Sequence, residues 1–153
     1  MKLKLNLLVI FVLMLGVIGF GAEKKFGSSV VGYIIQPQGF KMSEYKPTPA
    51  SMALTNDSET IVLDGTTGDA ENALQIAHDT FLSRGIDNKA IVVFPSTFGN
   101  YPSKTLMVGL GNGEMTVLSF IDYKGKVYMV QIAGKSEKVR ELHLSLGKSW
   151  SPK

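Results

Sequence analysis

The chain has 153 residues, no cysteine, and 16 basic against 13 acidic side chains. Without cysteine it has no disulfide bond, thiol nucleophile, thiolate zinc site or iron–sulfur cluster. The basic excess falls to one when residues 1–22 are set aside (14 basic against 13 acidic), because this segment holds Lys2, Lys4 and no acid. The two arginines, Arg84 and Arg140, lie far apart and the lysines are scattered. A nucleic-acid surface needs clustered cations, so we predict no binding to nucleic acid.

The N-terminal segment has the composition of a secretory signal peptide. Two lysines precede an uncharged, mostly apolar run from Leu5 to Ala22, and a charged stretch follows at once. Gly19 and Gly21 are small enough for signal peptidase, so we expect an exported protein that begins near Ala22 or Glu23. The run also approaches the ~20 residues of a membrane-spanning helix. An uncleaved anchor is therefore the alternative, and this segment is the only expected contact with a membrane.

The remaining residues are enough for one hydrophobic core of about 130 residues and not for two. We therefore interpret residues 23–28 as a lead-in and residues 29–150 as a single domain. Short runs rich in β-branched residues, separated by Pro, Gly, Asn and Asp, predict the first strands. These elements are a strand over 29–35, a loop over 40–48, and strands over 51–54 and 60–63.

The clearest helix is predicted between Asp69 and Arg84. Asp69 is a suitable N-cap, and Arg84 followed by Gly85 is a typical C-terminal signal. The apolar residues that share one face at helical spacing are Ala70, Ala73, Leu74, Ala77 and Phe81.

The second half of the chain is dominated by hairpin signals. Asn112-Gly113 is the strongest of them, and Lys124-Gly125 marks the next turn. The glycine-rich stretch Gly109–Gly113 precedes a strand, whereas a phosphate-binding loop precedes a helix. The predicted elements are strands over 89–94, 104–111, 114–122 and 126–133, and a loop over 95–102. A last helix is capped by Ser136, with Val139, Leu142, His143, Leu146 and Trp150 on one face.

Because hairpins dominate, we predict an α+β fold with a mainly antiparallel sheet and helices packed on it. This element order resembles the PsbP-like superfamily, which includes the lumenal PsbP proteins of photosystem II, the Ran-binding Mog protein and envelope proteins of the DcrB type. The matching stretches, within residues 29–150, are Gly32–Phe40, Phe120–Tyr128 and Ser145–Trp150. The resemblance implies an α/β/α sandwich and members that mostly bind other proteins. No functional residue of the family is carried over.

Two histidines are the candidate catalytic groups. His78 and His143 both lie at apolar helix faces, so we expect them to pack against the sheet. Asp79 follows His78 directly and therefore points about 100° away from it. No acid stands at metal-ligand spacing on either face, so we predict no metal site. Asp57, Glu59, Asp64 and Asp69 lack the spacing of a calcium loop, and we expect them to be solvated turn acids.

The candidate partner-binding residues are aromatic. Phe94, Phe98 and Tyr101 lie between 94 and 104 around two prolines, and Tyr45 in the preceding loop can join them. Aromatic side chains on a loop often anchor recognition. They also fold back over a sheet edge, and the sequence leaves both interpretations open.

These features favour a non-catalytic binding or accessory module, exported to the periplasm or the extracellular space of a bacterium. Its expected partner is another envelope protein, and no cofactor is expected. The alternative is a small periplasmic or secreted hydrolase that uses a histidine. An enzyme needs the imidazole in an open cleft with a hydroxyl and a carboxylate in reach, and a binding module does not.

Overall fold

The computed structural model describes residues 23–153, so the predicted signal segment lies outside the described residues. This part of the chain forms strands, two α-helices and one short 3-10 turn (Asn88–Ala90). In chain order the elements are β1 (Lys25–Ser28), β2 (Gly32–Ile35), β3 (Lys41–Ser43), β4 (Met52–Thr55), β5 (Thr60–Thr67), α1 (Ala70–Ser83), β6 (Ile91–Phe98), β7 (Tyr101–Gly111), β8 (Glu114–Tyr123), β9 (Lys126–Lys135) and α2 (Ser136–Ser149). No helix within 23–153 is long and apolar enough to cross a bilayer.

A seven-stranded sheet organises the fold. Its strand order is β3-β4-β5-β9-β8-β7-β6, and every neighbouring pair is antiparallel. Strands β1 and β2 form a separate antiparallel hairpin. The two helices pack on opposite faces of the sheet, each over its own hydrophobic cluster. The predicted α+β sandwich with an antiparallel sheet is confirmed.

Strands β6 to β9 are joined by two-residue turns. Asn112 and Gly113 have φ angles of 53° and 74°, and Lys124 and Gly125 have φ angles of 49° and 76°. Two consecutive positive φ values are typical of a type I′ turn, whose twist matches that of the flanking strands. The turns set the register that pairs Val117 of β8 with Met107 and Ile132 on either side. The predicted meander is therefore confirmed.

Helix α1 crosses one face of the sheet between β5 and the far edge strand β6. The Asp69 carboxylate accepts a hydrogen bond of 2.8 Å from the Asn72 amide, as predicted for the N-cap. Buried Leu74 and its apolar neighbours pack on a cluster that includes Leu118 and Phe120. We call this side of the sheet the α1 face.

Helix α2 and the β1–β2 hairpin cover the other side, which we call the α2 face. Val139, Leu146 and Trp150 join a core that includes Val117 and Ile121. The N-cap residue is Lys135, whereas Ser136 is the first helical residue. The predicted cap is thus wrong by one position, and the Ser136 hydroxyl donates to the Gly113 carbonyl at 2.9 Å.

Three predicted segments need correction. The polar lead-in contains β1, which pairs with β2, and the predicted strand over 29–35 is limited to β2. The predicted loop over 40–48 contains the short edge strand β3. The predicted loop over 95–102 is a hairpin, since Gly99 and Asn100 have φ angles of 56° and 68°. Pro95 is tolerated there because β6 is an edge strand with one unpaired side.

Trp150 depends on the absence of a side chain at Gly32. Its indole is 2% exposed and stands edge-on to the rings of Tyr101 and Tyr128, with centroids 5.6 and 5.4 Å away. A Cβ added at Gly32 would lie 2.7 Å from the Trp150 Nε1 atom. At Gly39, a Cβ would meet no atom within 4 Å.

Replacing Gly32 by Ala should therefore lower the free energy of unfolding more than replacing Gly39 by Ala. Both glycines have positive φ values, 78° and 83°. Each variant should lose about 1–2 kcal/mol from backbone strain, and Gly32→Ala should lose a further ~1–3 kcal/mol from overpacking against Trp150. Urea unfolding of both variants measures the difference. Equal losses would contradict the close packing of Trp150 against β2.

Candidate functional site: an open pocket beside the first helix

The four predicted aromatic residues do not form one exposed surface. Phe94 and Phe98 are on strand β6 and, by strand alternation, both point to the α2 face. Phe98 is fully buried, with its ring 5.4 Å from that of His143. Tyr101 packs edge-on against Trp150. Tyr45 is 59% exposed and lines a separate pocket on the α1 face. Phe94, Phe98 and Tyr101 therefore lie on strands and not on the predicted loop, and they do not form a joint patch with Tyr45. Of the two interpretations left open, folding back over the sheet is the one that describes Phe98 and Tyr101. A role in partner binding stays a prediction.

His143 belongs to an enclosed network of hydroxyl groups on the α2 face. Its Nε2 atom lies 3.0 Å from the Ser119 hydroxyl, which is 2.9 Å from that of Thr105. The network continues to Ser96 at 2.7 Å and to Ser103 at 2.6 Å. Ser119 and Thr105 are fully buried. A serine in this position is not accessible to a substrate.

The His143–Ser119 pair also lacks the third group of a catalytic triad. Within residues 23–153, no carboxylate hydrogen-bonds to His143, so nothing there stabilises an imidazolium. Burial lowers the pKa of His143 below its ordinary value of 6.5. The arrangement is that of a half-buried imidazole that forms a hydrogen bond with a buried hydroxyl.

His78 lies on the other side of the sheet, at α1. Its Nε2 atom is 3.1 Å from the Asn88 side-chain oxygen, and its Nδ1 atom is 3.4 Å from the Asp79 carboxylate. The ring nitrogens thus contact the 3-10 turn and the neighbouring acid, contrary to the expectation that Asp79 points away. The side chain links α1 to the turn that follows it. In the described part of the chain, no three His, Asp or Glu side chains could hold a metal ion together.

An open, mainly apolar pocket is on the α1 face, beside helix α1. Phe120, Val127 and Met129 form the floor, and Ala73 of α1 and residues 48–50 form the walls. Its volume is about 490 Å³. Ligand pockets in proteins span about 300–1,000 Å³ and are mainly apolar. The pocket therefore has the size and the lining of a binding site.

Asp64 supplies the only ionised side chain among the residues that line this pocket. Its carboxylate accepts hydrogen bonds from the Thr48 hydroxyl at 3.1 Å, the Ser51 hydroxyl at 2.9 Å and the Gly65 amide at 2.8 Å. Within residues 23–153, no Lys, Arg or His nitrogen lies within 4 Å of it. The carboxylate is therefore held in place by neutral donors without a countercharge. It is not the solvated turn acid that was predicted, and neither is Glu59, which is 4% exposed.

A second, smaller pocket of about 320 Å³ continues along the same two strands. Thr60 and Val62 of β5 and Gln131 of β9 line it, with Tyr45 on the open side. Together the two pockets make a strip over β5 and β9 that neither helix covers.

The sequence contained part of this site. Along β5, Thr60, Asp64 and Thr66 alternate with Ile61 and Leu63, so these three polar residues fall on the face opposite to Ile61 and Leu63. The sequence alone does not indicate which of the two faces of the sheet stays open. That depends on how far α1 reaches across the sheet.

Lowering the pH should weaken the fold through His143. Because its pKa is lower in the folded than in the unfolded chain, the stability present at pH 7 is lost as the pH falls below about 6.5. His143→Ala should reduce the free energy of unfolding by about 1 kcal/mol at pH 7 and by less at about pH 5. Denaturant unfolding at both pH values measures this. His78→Ala is the control. Its free energy of unfolding should decrease between the two pH values by as much as that of the wild type. If this decrease disappeared in His78→Ala, the assignment to His143 would be contradicted.

Comparisons with known proteins identify the fold. No protein-family model and no curated protein matches the sequence. The solution structure of the cyanobacterial PsbP protein CyanoP from Synechocystis sp. PCC 6803 matches with a TM-score of 0.61 at 12% identity, over 87% of this chain and 95% of that one. The Saccharomyces cerevisiae Ran-binding protein Mog1p matches with a TM-score of 0.60 at 12% identity, over 85% and 95%. A Bacteroides thetaiotaomicron structure matches with a TM-score of 0.54 at 13% identity, over 86% of this chain and 48% of that one. The chain therefore has the PsbP-like fold that its sequence motifs indicated.

Proposed function

We propose that this protein is an exported, non-catalytic binding module of the bacterial envelope, and that its partner is another envelope protein. The observation that carries the proposal is the contrast between the two faces of the sheet. The α1 face has an open apolar pocket without a histidine in its lining. The α2 face has a serine–histidine pair, but Ser119 is fully buried.

An open apolar pocket favours association with a partner. The accessible carbon surface of this pocket comes from Met129, Ala73 and residues 49–50, because Phe120 and Val127 are only 4% and 1% exposed. Covering such surface stabilises a complex. Asp64 and Thr66 at its edge supply polar groups that orient a partner. Tyr45 is the largest exposed aromatic residue of the adjoining strip, and tyrosine is frequent among residues that dominate interface energies.

The fold supports the same proposal. One of the solved proteins with this fold is a Ran-binding protein from yeast, which supports a binding role for the present chain. The hydrolase alternative requires a histidine beside an open cleft and a carboxylate. Neither His78 nor His143 lines the two pockets of the α1 face.

Export is inferred from the N-terminal sequence. Lysines 2 and 4 precede the apolar run from Leu5 to Ala22, the order that directs a chain to the secretory pathway. An exported domain meets its partner outside the cytoplasm, and so the proposed partner is an envelope protein.

Filling the pocket should abolish binding of the partner. Ala73→Leu adds three carbon atoms at the pocket wall, whereas Gln75→Leu places the same side chain at an exposed position of α1 and serves as the matched control. Cross-linking in intact cells, followed by mass spectrometry, identifies a partner of the wild-type protein. The complex should be lost with Ala73→Leu and retained with Gln75→Leu. Circular dichroism and thermal melting check that both variants fold.

The histidines separate the binding module from the enzyme in the same experiment. A variant with His78→Ala and His143→Ala should retain the cross-linked complex. A hydrolytic activity that is present in the wild type and lost in this folded double variant would overturn the proposal. A complex that survives Ala73→Leu would exclude the pocket as the binding site.

The mature protein should begin near Ala22 or Glu23. Gly19 and Gly21 occupy the positions where signal peptidase needs small residues, and Gly16 adds to the weak helix propensity at this end of the run. N-terminal sequencing of protein from the envelope fraction determines the start. Recovery of the chain with Met1 in the membrane fraction would indicate an uncleaved anchor instead.

A further inference from the structure

We propose that the pocket beside α1 receives a lysine side chain of the partner, with the methylene stem on the apolar floor and the ammonium group against Asp64. This inference rests on the proposed function and specifies the chemistry of its contact. Three features carry it: the shape of the floor, the charge of Asp64 and the number of hydrogen bonds that Asp64 already accepts.

The floor and the carboxylate together select for an apolar chain that ends in a cation. Of the three floor residues, Met129 is partly exposed, whereas Phe120 and Val127 are 4% and 1% exposed. Their side chains offer only carbon and sulfur atoms to an occupant. Asp64 is the one ionised group in the lining and has no basic group of the described residues within 4 Å. An anionic group such as a carboxylate or phosphate would be repelled there. A cation gains more from the same carboxylate in a partly closed pocket than it would in open water.

The hydrogen bonds to Asp64 favour lysine over arginine. A carboxylate has about four lone-pair positions. The Gly65 amide bonds to Oδ1, the Ser51 hydroxyl bonds to Oδ2, and the Thr48 hydroxyl lies 3.1 Å from both oxygens. The remaining capacity suits the single contact of an ammonium group. The planar guanidinium of arginine prefers two parallel hydrogen bonds to one carboxylate, and those positions are taken.

The same three donors make the site preorganised. They hold the carboxylate at the pocket without neutralising it, so a ligand does not have to order it on binding. Thr48 comes from the wall of the pocket, which couples the position of the carboxylate to the position of that wall. An incoming ammonium group therefore meets a fixed acceptor.

The test uses n-hexylamine as a probe of the lysine stem and ammonium group. It is compared with n-hexanol, hexanoate and n-hexylguanidine, which have the same chain and a different head group. Titrations are followed by NMR through the methyl signal of Met129 and the amide signal of Thr66. The ammonium form should bind about tenfold more tightly than hexanol, and hexanoate should bind more weakly than hexanol.

Three variants assign this preference to Asp64. Asp64→Asn keeps the size of the side chain and should remove the tenfold preference for the amine. Asp57→Asn makes the same change of charge at an exposed turn outside this pocket and should leave it unchanged. Thr66→Lys supplies an internal ammonium two residues along the same strand face. Because Thr66 is exposed, this variant should fold and should weaken hexylamine binding about tenfold even if Asp64→Asn does not fold.

Several outcomes would overturn the inference. They are equal binding of hexylamine and hexanol, an amine preference that survives in Asp64→Asn, tighter binding of hexylguanidine, and no shift of the Met129 signal with any probe. If hexylamine binds as expected but the partner is still cross-linked to Asp64→Asn, the pocket serves a free amine and not a lysine of the partner. If Ala73→Leu loses the partner while the probes show no charge preference, the proposed function stands and the lysine assignment fails.

Discussion

The structure depends on one constraint, which is that strand β8 is buried on both of its faces and mainly apolar. From Met115 to Ile121, every residue is buried, with Val117 facing α2 and Leu118 facing α1. A strand of this kind requires cover on both sides of the sheet, and exposure of either side would remove much of the hydrophobic stabilisation. The long connection from β5 to β6 supplies one cover, and the C-terminal helix supplies the other. The sandwich architecture therefore follows from the need to cover both faces of β8.

The two covers are unequal, and this difference creates the candidate site. On the α2 face, the β1–β2 hairpin extends the cover beyond the helix to β5. Gly65 allows this approach, because a Cβ there would lie 2.1 Å from the Val30 carbonyl oxygen. On the α1 face, the helix has 14 residues, which is about 21 Å of length, and it packs over β7 and β8. The segment that lines the pockets over β5 and β9 on this face includes Tyr45 and residues 48–50. The pocket is the gap between that segment and the helix.

The parts of the fold that could be predicted are those with a local physical signal. Asn112-Gly113 and Lys124-Gly125 define the central hairpins, and Asp69 begins α1 as its N-cap. The missed hairpin at Gly99-Asn100 had a comparable turn signal, but the flanking prolines favoured a loop. Pro95 is compatible with a strand only because β6 is at the edge, and that position is a property of the whole sheet. Strand β1 has almost no signal of its own and exists through its pairing with β2.

The site was harder to predict because the type of residue did not decide its role. His143 and Ser119 have the chemistry of a catalytic pair, yet strand alternation and the position of α2 place them on the closed face. Asp64 gave no more signal than any acid near a turn, yet alternation along β5 places it on the open face. A one-residue change of register would exchange the two faces of a strand. Under the proposed function, the partner binds on the face that remains uncovered, and Asp64 is the charged residue of the pocket on that face.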